Sequence, residues 1–123
     1  MPVKRRKKKV ESEKMNNQQK ACKVVKFGGS SLADAEHFRK VHAIVTADPA
    51  RRYVVPSAPG KRNKGDTKVT DMLYECYNVS ARGEAIDTIF ARVQERYDGI
   101  IASLGLDLDL REEYAHIQWA ITH

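Results

Sequence analysis

The residues best suited to chemistry in this chain are six in a row, Lys26-Phe27-Gly28-Gly29-Ser30-Ser31. They place an ammonium, two residues without side chains and two hydroxyls at the end of a β-rich run, Lys23 to Phe27. Ser31 precedes an apolar-periodic segment and Asp34 follows three residues later, so Ser31 reads as an N-cap and Asp34 as a charge in the first helical turn. Such a junction offers free backbone N–H groups and the positive end of a helix dipole, and glycine lets a bulky anion approach the backbone. Lys26 sits among apolar neighbours, where an ammonium is costly to bury without an anion. A phosphate answers both demands. A Gly-Gly turn with a snorkelling lysine accounts for the same residues. Neither common nucleotide signature is present, because Gly28-Gly29 has the spacing of neither Gly-x-Gly-x-x-Gly nor Gly-x-x-x-x-Gly-Lys-Ser/Thr.

A second stretch, Ser57 to Lys68, adds Pro59, Gly60 and Gly65 to four basic residues, Lys61, Arg62, Lys64 and Lys68. Any one of these charges is as well explained by solvation. The two loops, however, leave the carboxyl ends of neighbouring strands, the edge of an open α/β sheet where ligands bind. That convergence favours phosphate over a simple turn. Histidine supplies neither catalysis nor a metal site: His37 and His42 are five apart and do not share a helical face. Ser30, Ser31, Ser57, Asp66 and His37 make a nominal hydrolase set, but nothing in the sequence puts a histidine beside a nucleophilic serine.

The elements that must position these loops follow from periodicity. Leu32, Ala35, Phe38, Val41 and Val45 predict a helix from Leu32 to Ala47, ended by Asp48-Pro49. Tyr53 to Val55 is a second short strand stopped by Pro56. Strand, helix and strand so close in sequence form a βαβ unit with parallel strands and a right-handed crossover. A helix from Val69 to Ser80 should bury Val69, Met72, Leu73, Cys76 and Tyr77. Another, from Glu84 to Leu104, should turn Ile86, Ile89, Phe90, Val93, Tyr97, Ile100 and Ile101 inward, with Gly105 as its C-terminal cap. Asp107 or Asp109 should cap a last helix containing Tyr114, Ile117 and Ile121.

Composition bounds the function. The 123 residues, 41% of them hydrophobic, allow one small domain with a modest core. Residues 1–20 hold eight Lys/Arg against two Glu, whereas residues 21–123 hold fourteen of each sign, so the +6 formal charge belongs to the leader. Residues 1–20 therefore read as a basic, disordered leader, a solvated tail in preference to a non-specific polyanion contact, and Met15 offers an alternative start. No specific nucleic acid is expected as a partner. No apolar run approaches the roughly 20 residues of a membrane span, and the basic N-terminus lacks the apolar stretch of a secretory signal, which suggests a cytoplasmic protein with no membrane partner. Cys22 and Cys76 lack metal-ligand spacing and read as reduced, structural cysteines.

The segment Lys23 to Tyr77 resembles the N-terminal part of the aspartate kinases, members of the amino-acid kinase family. Lys26-Phe27-Gly28-Gly29-Ser30-Ser31 matches the family's opening Lys-Phe/Tyr-Gly-Gly-Thr/Ser-Ser. Val54-Val55-Pro56-Ser57-Ala58-Pro59-Gly60 matches its second-strand loop, and Lys68-Val69-Thr70-Asp71-Met72-Leu73 resembles the segment after it. Three such pieces in order select aspartate kinase over its carbamate, glutamate and nucleotide-kinase relatives. The resemblance implies the N-terminal part of a three-layer α/β/α fold with a mainly parallel sheet. It implies transfer of the ATP γ-phosphate to the side-chain carboxylate of L-aspartate, the step that opens lysine, threonine, methionine and isoleucine synthesis. Lys26 would be the catalytic cation neutralising the ATP phosphates. Phe27, Gly28, Gly29 and Ser30 would belong to the ATP-binding loop, and Ser57 and Thr70 would help hold aspartate. Magnesium would arrive with the nucleotide, without a metal site of the chain's own, and the parent enzyme would be a homo-oligomer.

Family members are several times longer, so residues 21–123 read as a partial amino-acid kinase domain. The family's Ser-Arg-Gly-Glu segment is only mimicked by Ser80-Ala81-Arg82-Gly83-Glu84, which has an extra alanine and comes too early. Open sheet edges should leave the isolated chain marginally stable or self-associating. The lack of adenine recognition and of part of the aspartate pocket that the resemblance implies should leave it without kinase activity of its own. A non-catalytic binding or assembly module that keeps the front of a kinase fold is the alternative.

Overall fold

The computed structural model describes residues 21–123; the basic leader and the alternative start at Met15 lie outside the described residues. Two strands, β1 (Lys23–Phe27) and β2 (Arg51–Pro56), flank a helix, α1 (Ala35–Ala47). Three helices follow: α2 (Val69–Ala81), α3 (Asp87–Leu104) and α4 (Arg111–Thr122). The strands pair in parallel, with Val25 opposite Val54 and Lys26 opposite Val55, and a register irregularity between Lys23 and Val24. The α/β class and the parallel βαβ unit are thus as expected. Among the described residues the sheet has these two strands.

The first helix starts later than its apolar pattern suggests. Gly29–Leu32 form a 3-10 turn, which places Ser31 inside that turn rather than at a helix cap. Asp34 is the N-cap instead, its carboxylate accepting the His37 backbone N–H at 2.9 Å. Both are capping residue types; the tighter turn moves the role three residues on. At the far end Asp48 accepts from the Ala50 N–H at 2.9 Å and pairs with Lys23 at 2.7 Å, closing the crossover onto the start of β1.

The apolar core lies among the last three helices. Val69, Met72, Cys76, Ile86, Phe90, Val93 and Tyr114 form one buried cluster. Phe90 is 1% exposed and meets the Tyr114 ring edge-on at a centroid distance of 6.3 Å. The Tyr114 hydroxyl donates to Asp98 at 2.8 Å, so its polar tip is satisfied while burial pushes its proton affinity up. Cys76 is fully buried in this cluster, and burial pushes its thiol pKa up. Helix α3 begins at Asp87 instead of Glu84, with Ile86 as the residue before it. Gly105 ends it in the left-handed conformation, φ 65°, and the Leu106 N–H reaches back to the Ile101 carbonyl at 3.1 Å. The last helix carries no side-chain cap on its Leu110 N-cap; Asp109 accepts the Arg111 N–H at 3.0 Å.

Tyr77 is the clearest departure from the apolar stripe read in α2, being 63% exposed. Leu73 is half-buried. Helical spacing identifies a face without saying how wide a neighbour covers it. No helix among the described residues is long and apolar enough to cross a membrane.

Candidate functional site

The first loop leaves β1 through Gly28, and the second leaves β2 through Ser57, whose N–H donates to the Phe27 carbonyl at 2.9 Å. From there the two loops run against one another. The Gly60 N–H donates to Gly29 O at 2.8 Å, and the contact leaves no space for side chains. A Cβ on Gly60 would stand 2.6 Å from the Gly29 carbonyl carbon, and one on Gly29 would stand 3.0 Å from Ala58 O. Both glycines are there because two backbones touch.

Between the loops lies a cleft of about 540 Å³. Gly29 and Ser30 form its first wall, and Ser57, Ala58, Gly60 and Lys61 its second. Lys68 and Thr70, at the N-terminal end of α2, complete it. The Val69 N–H donates to the Pro59 carbonyl at 3.0 Å, fixing that helix end against the second loop. Backbone, hydroxyls, two ammoniums and a helix N-terminus thus converge, with no carboxylate in the lining. Neither ammonium has an ion-pair partner among the described residues. Such a donor set fits an anion, and a polyanion best.

Seven of the residues singled out from the sequence are therefore brought together: Gly29, Ser30, Ser57, Gly60, Lys61, Lys68 and Thr70. Lys26, Phe27 and Gly28 stand just before the cleft on β1 and its exit and do not line it. Lys26 is exposed rather than buried. It shares a sheet face with Val24, Tyr53 and Val55 by register, so the cost of desolvating its ammonium does not arise here. His37 bonds through Nδ1 to Asp34 at 2.6 Å and lies beside no nucleophilic serine. The backbone N–H of His37, and then that side-chain bond, hold the Asp34 carboxyl below its ordinary range. No group of three His, Cys, Asp or Glu side chains among the described residues is arranged to hold a metal ion.

One residue that supports the site was not read from the sequence. Arg96, on α3, is 5% exposed and inserts its guanidinium under both loops. Its Nη2 donates to Ala33 O at 3.0 Å and Gly60 O at 2.7 Å, and its Nη1 to Thr67 O at 3.0 Å. Asp66 Oδ2 lies 3.3 Å from Nη1. The same carboxylate takes the Arg62 backbone N–H at 2.9 Å and its Nε at 2.7 Å. Hydrogen bonds from Arg62 hold the Asp66 carboxyl well below the usual carboxylate range, and the Arg96 charge adds to this. Burial pulls the Arg96 pKa down against the opposing pull of Asp66; a guanidinium starts so high that it stays charged. No buried side-chain nitrogen or oxygen among the described residues lacks a partner. The available signal was position: Arg96 lies on the stripe of Phe90, Val93 and Ile100, facing inward.

Fold and cleft together define an α/β unit that gathers cationic and backbone donors at the carboxyl ends of parallel strands. Its relatives make the class more particular. The chain is 47% identical to aspartokinase 3 of Bacillus subtilis (strain 168) over 91 residues, which is 74% of this chain and 20% of that protein. In three dimensions it matches the aspartate kinase of Clostridium acetobutylicum, an allosteric enzyme, with a TM-score of 0.77 and 41% identity. The match covers 80% of this chain and 23% of that one. No family model matches. The chain is thus similar to aspartate kinases in both sequence and fold, and it spans about a fifth of their length.

Proposed function

We propose that this chain is the phosphate-holding front of an aspartate kinase catalytic domain, working in the cytoplasm. There the ATP γ-phosphate passes to the side-chain carboxylate of L-aspartate and gives 4-phospho-L-aspartate. The observation that carries the reading is the meeting of Gly29 and Ser30 with Ser57, Lys61, Lys68 and Thr70 around one cleft.

The reaction makes particular demands. An aspartate side chain is already ionised at pH 7, its reference pKa being about 3.9, so no general base is needed. The obstacle is repulsion between a carboxylate and a triphosphate, and charge building on the transferring group. Unpaired ammoniums answer it. In this proposal Lys26, exposed at the end of β1, and Lys68 neutralise phosphate oxygens, and Gly28, Gly29 and Ser30 hold them from the first loop. Ser57 and Thr70 orient aspartate from the opposite wall. Magnesium supplies further counter-charge when it arrives on the nucleotide. The cleft lining holds no carboxylate to ligate it, so every role assigned to this chain is played by its own cations, hydroxyls and backbone.

A chimera tests the proposal. The matched 91-residue stretch, grafted in place of its counterpart in the Bacillus subtilis enzyme, is expected to sustain ATP-dependent formation of aspartyl phosphate, trapped as a hydroxamate. Lys26→Met in the chimera is expected to lower turnover by about 100-fold or more. Unchanged turnover removes the role given to that ammonium. A folded chimera that binds ATP but makes no hydroxamate favours the binding-module alternative.

A further inference from the structure

Two contacts join the walls of the cleft: the Gly60–Gly29 backbone bond and the buried guanidinium of Arg96. They differ in origin. The first lies within the loops, whereas Arg96 comes from a helix that contributes nothing to the cleft lining. Its hydrogen bonds go to loop carbonyls, Ala33 on one side and Gly60 and Thr67 on the other. It is also absent from the apolar cluster that its helix neighbours Phe90 and Val93 help to build.

We propose that Arg96 is the positioning residue of the cleft, a single planar fork that sets the gap between the two loops and makes them move as one. The inference rests on the phosphate reading only for the identity of the occupant. Shape is the reason an arginine is required. Nη2 spans Ala33 O and Gly60 O, one carbonyl from each loop, while Nη1 reaches Thr67 O and faces Asp66. A lysine carries its donors on one nitrogen, so it cannot hold Ala33 O and Gly60 O and at the same time reach Thr67 O and Asp66 from a second nitrogen in that plane. Asp66, itself held by Arg62, keeps the fork oriented.

The test is amide hydrogen exchange on the whole 123-residue chain, with inorganic triphosphate as the binding probe. Three amides report separately. Ser31 N–H bonds Gly28 O within the first loop, Asp66 N–H bonds Asn63 O within the second, and Phe90 N–H bonds Ile86 O in the helical core. In Arg96→Lys, protection is expected to fall by about tenfold or more at Ser31 and Asp66 together, with Phe90 unchanged, because several charge-assisted bonds to both loops are lost. Triphosphate affinity should weaken by a similar factor. Wild-type protection at both loops in a folded Arg96→Lys chain overturns the inference, as does loosening of the second loop alone. If that variant does not fold, Asp66→Asn keeps the arginine and removes the group that orients it. Ser31 is then expected to lose protection along with the second loop, and an unaffected Ser31 overturns the coupling. Absence of triphosphate binding by the wild-type chain defeats the phosphate reading and leaves the loop coupling to stand or fall on exchange.

Discussion

Apolar side chains are treated in opposite ways by the two ends of this molecule. Among helices α2, α3 and α4 they are hidden, with Phe90, Val69 and Cys76 at 1% exposure or less. On the two-stranded sheet the same kinds of residue face outward: Val24 is 69% exposed, Tyr53 59% and Val55 46%. By register these three share one sheet face. The cleft lies where the two ends meet. Its walls come from strand exits, where Leu32 and Ala33 of the first loop are buried as well, and a polar clamp from the helical end keeps them in place. Stability and the geometry of the cleft therefore rest on different physics. Area removed from water dominates one, and satisfied hydrogen bonds and charge placement the other.

Substitutions should separate the two ends. Phe90→Ala is expected to cost about 3–5 kcal/mol, the usual range for emptying a well-packed aromatic site. Val24→Ala should stay within about 0.5 kcal/mol, as surface changes generally do. Urea unfolding of both variants measures the contrast, and equal costs would erase it. Gly60→Ala comes next. Its Cβ would fall 2.6 Å from the Gly29 carbonyl carbon, so the loops must part, at about 1–3 kcal/mol by analogy with overpacked cores. The same variant should lose triphosphate binding, read by calorimetric titration, while Phe90 stays protected from exchange.

Acid should give the smallest effect. The folded-state pKa of Asp66 is depressed, chiefly by hydrogen bonds from Arg62. Its contribution is therefore complete above the unfolded pKa of about 3.9 and declines as pH falls through and below that value. Asp66→Asn should flatten this part of the stability profile, measured as urea midpoints between about pH 6 and pH 3. An identical acid slope in the variant would show that the carboxylate is not held in the way the structure indicates.

How much of this was legible beforehand follows the same division. Strand β1 was read to its observed ends because Lys23 to Phe27 is an apolar, β-branched run closed by two glycines. The contact of Gly29 with Gly60 was foreshadowed only as convergence; a sequence shows two glycine-bearing loops and not that their backbones touch. Ser31 and Asp34 are interchangeable as caps on paper, and the 3-10 turn decided between them. Tyr77 looked buried because periodicity assigns a face without measuring its cover. Arg96 escaped for the opposite reason. An arginine inside an apolar stripe is ordinarily taken as a surface charge, and only coordinates reveal the carbonyls waiting for it.

The distance in sequence between clamp and walls has a consequence for synthesis. Ala33 and Gly60 precede their common partner by 63 and 36 residues. A ribosome delivers both loops before it delivers the guanidinium that unites them, and chains order themselves from the N-terminus as they emerge. The nascent cleft thus waits for the third helix, and its two walls reach their final spacing only once that helix has docked.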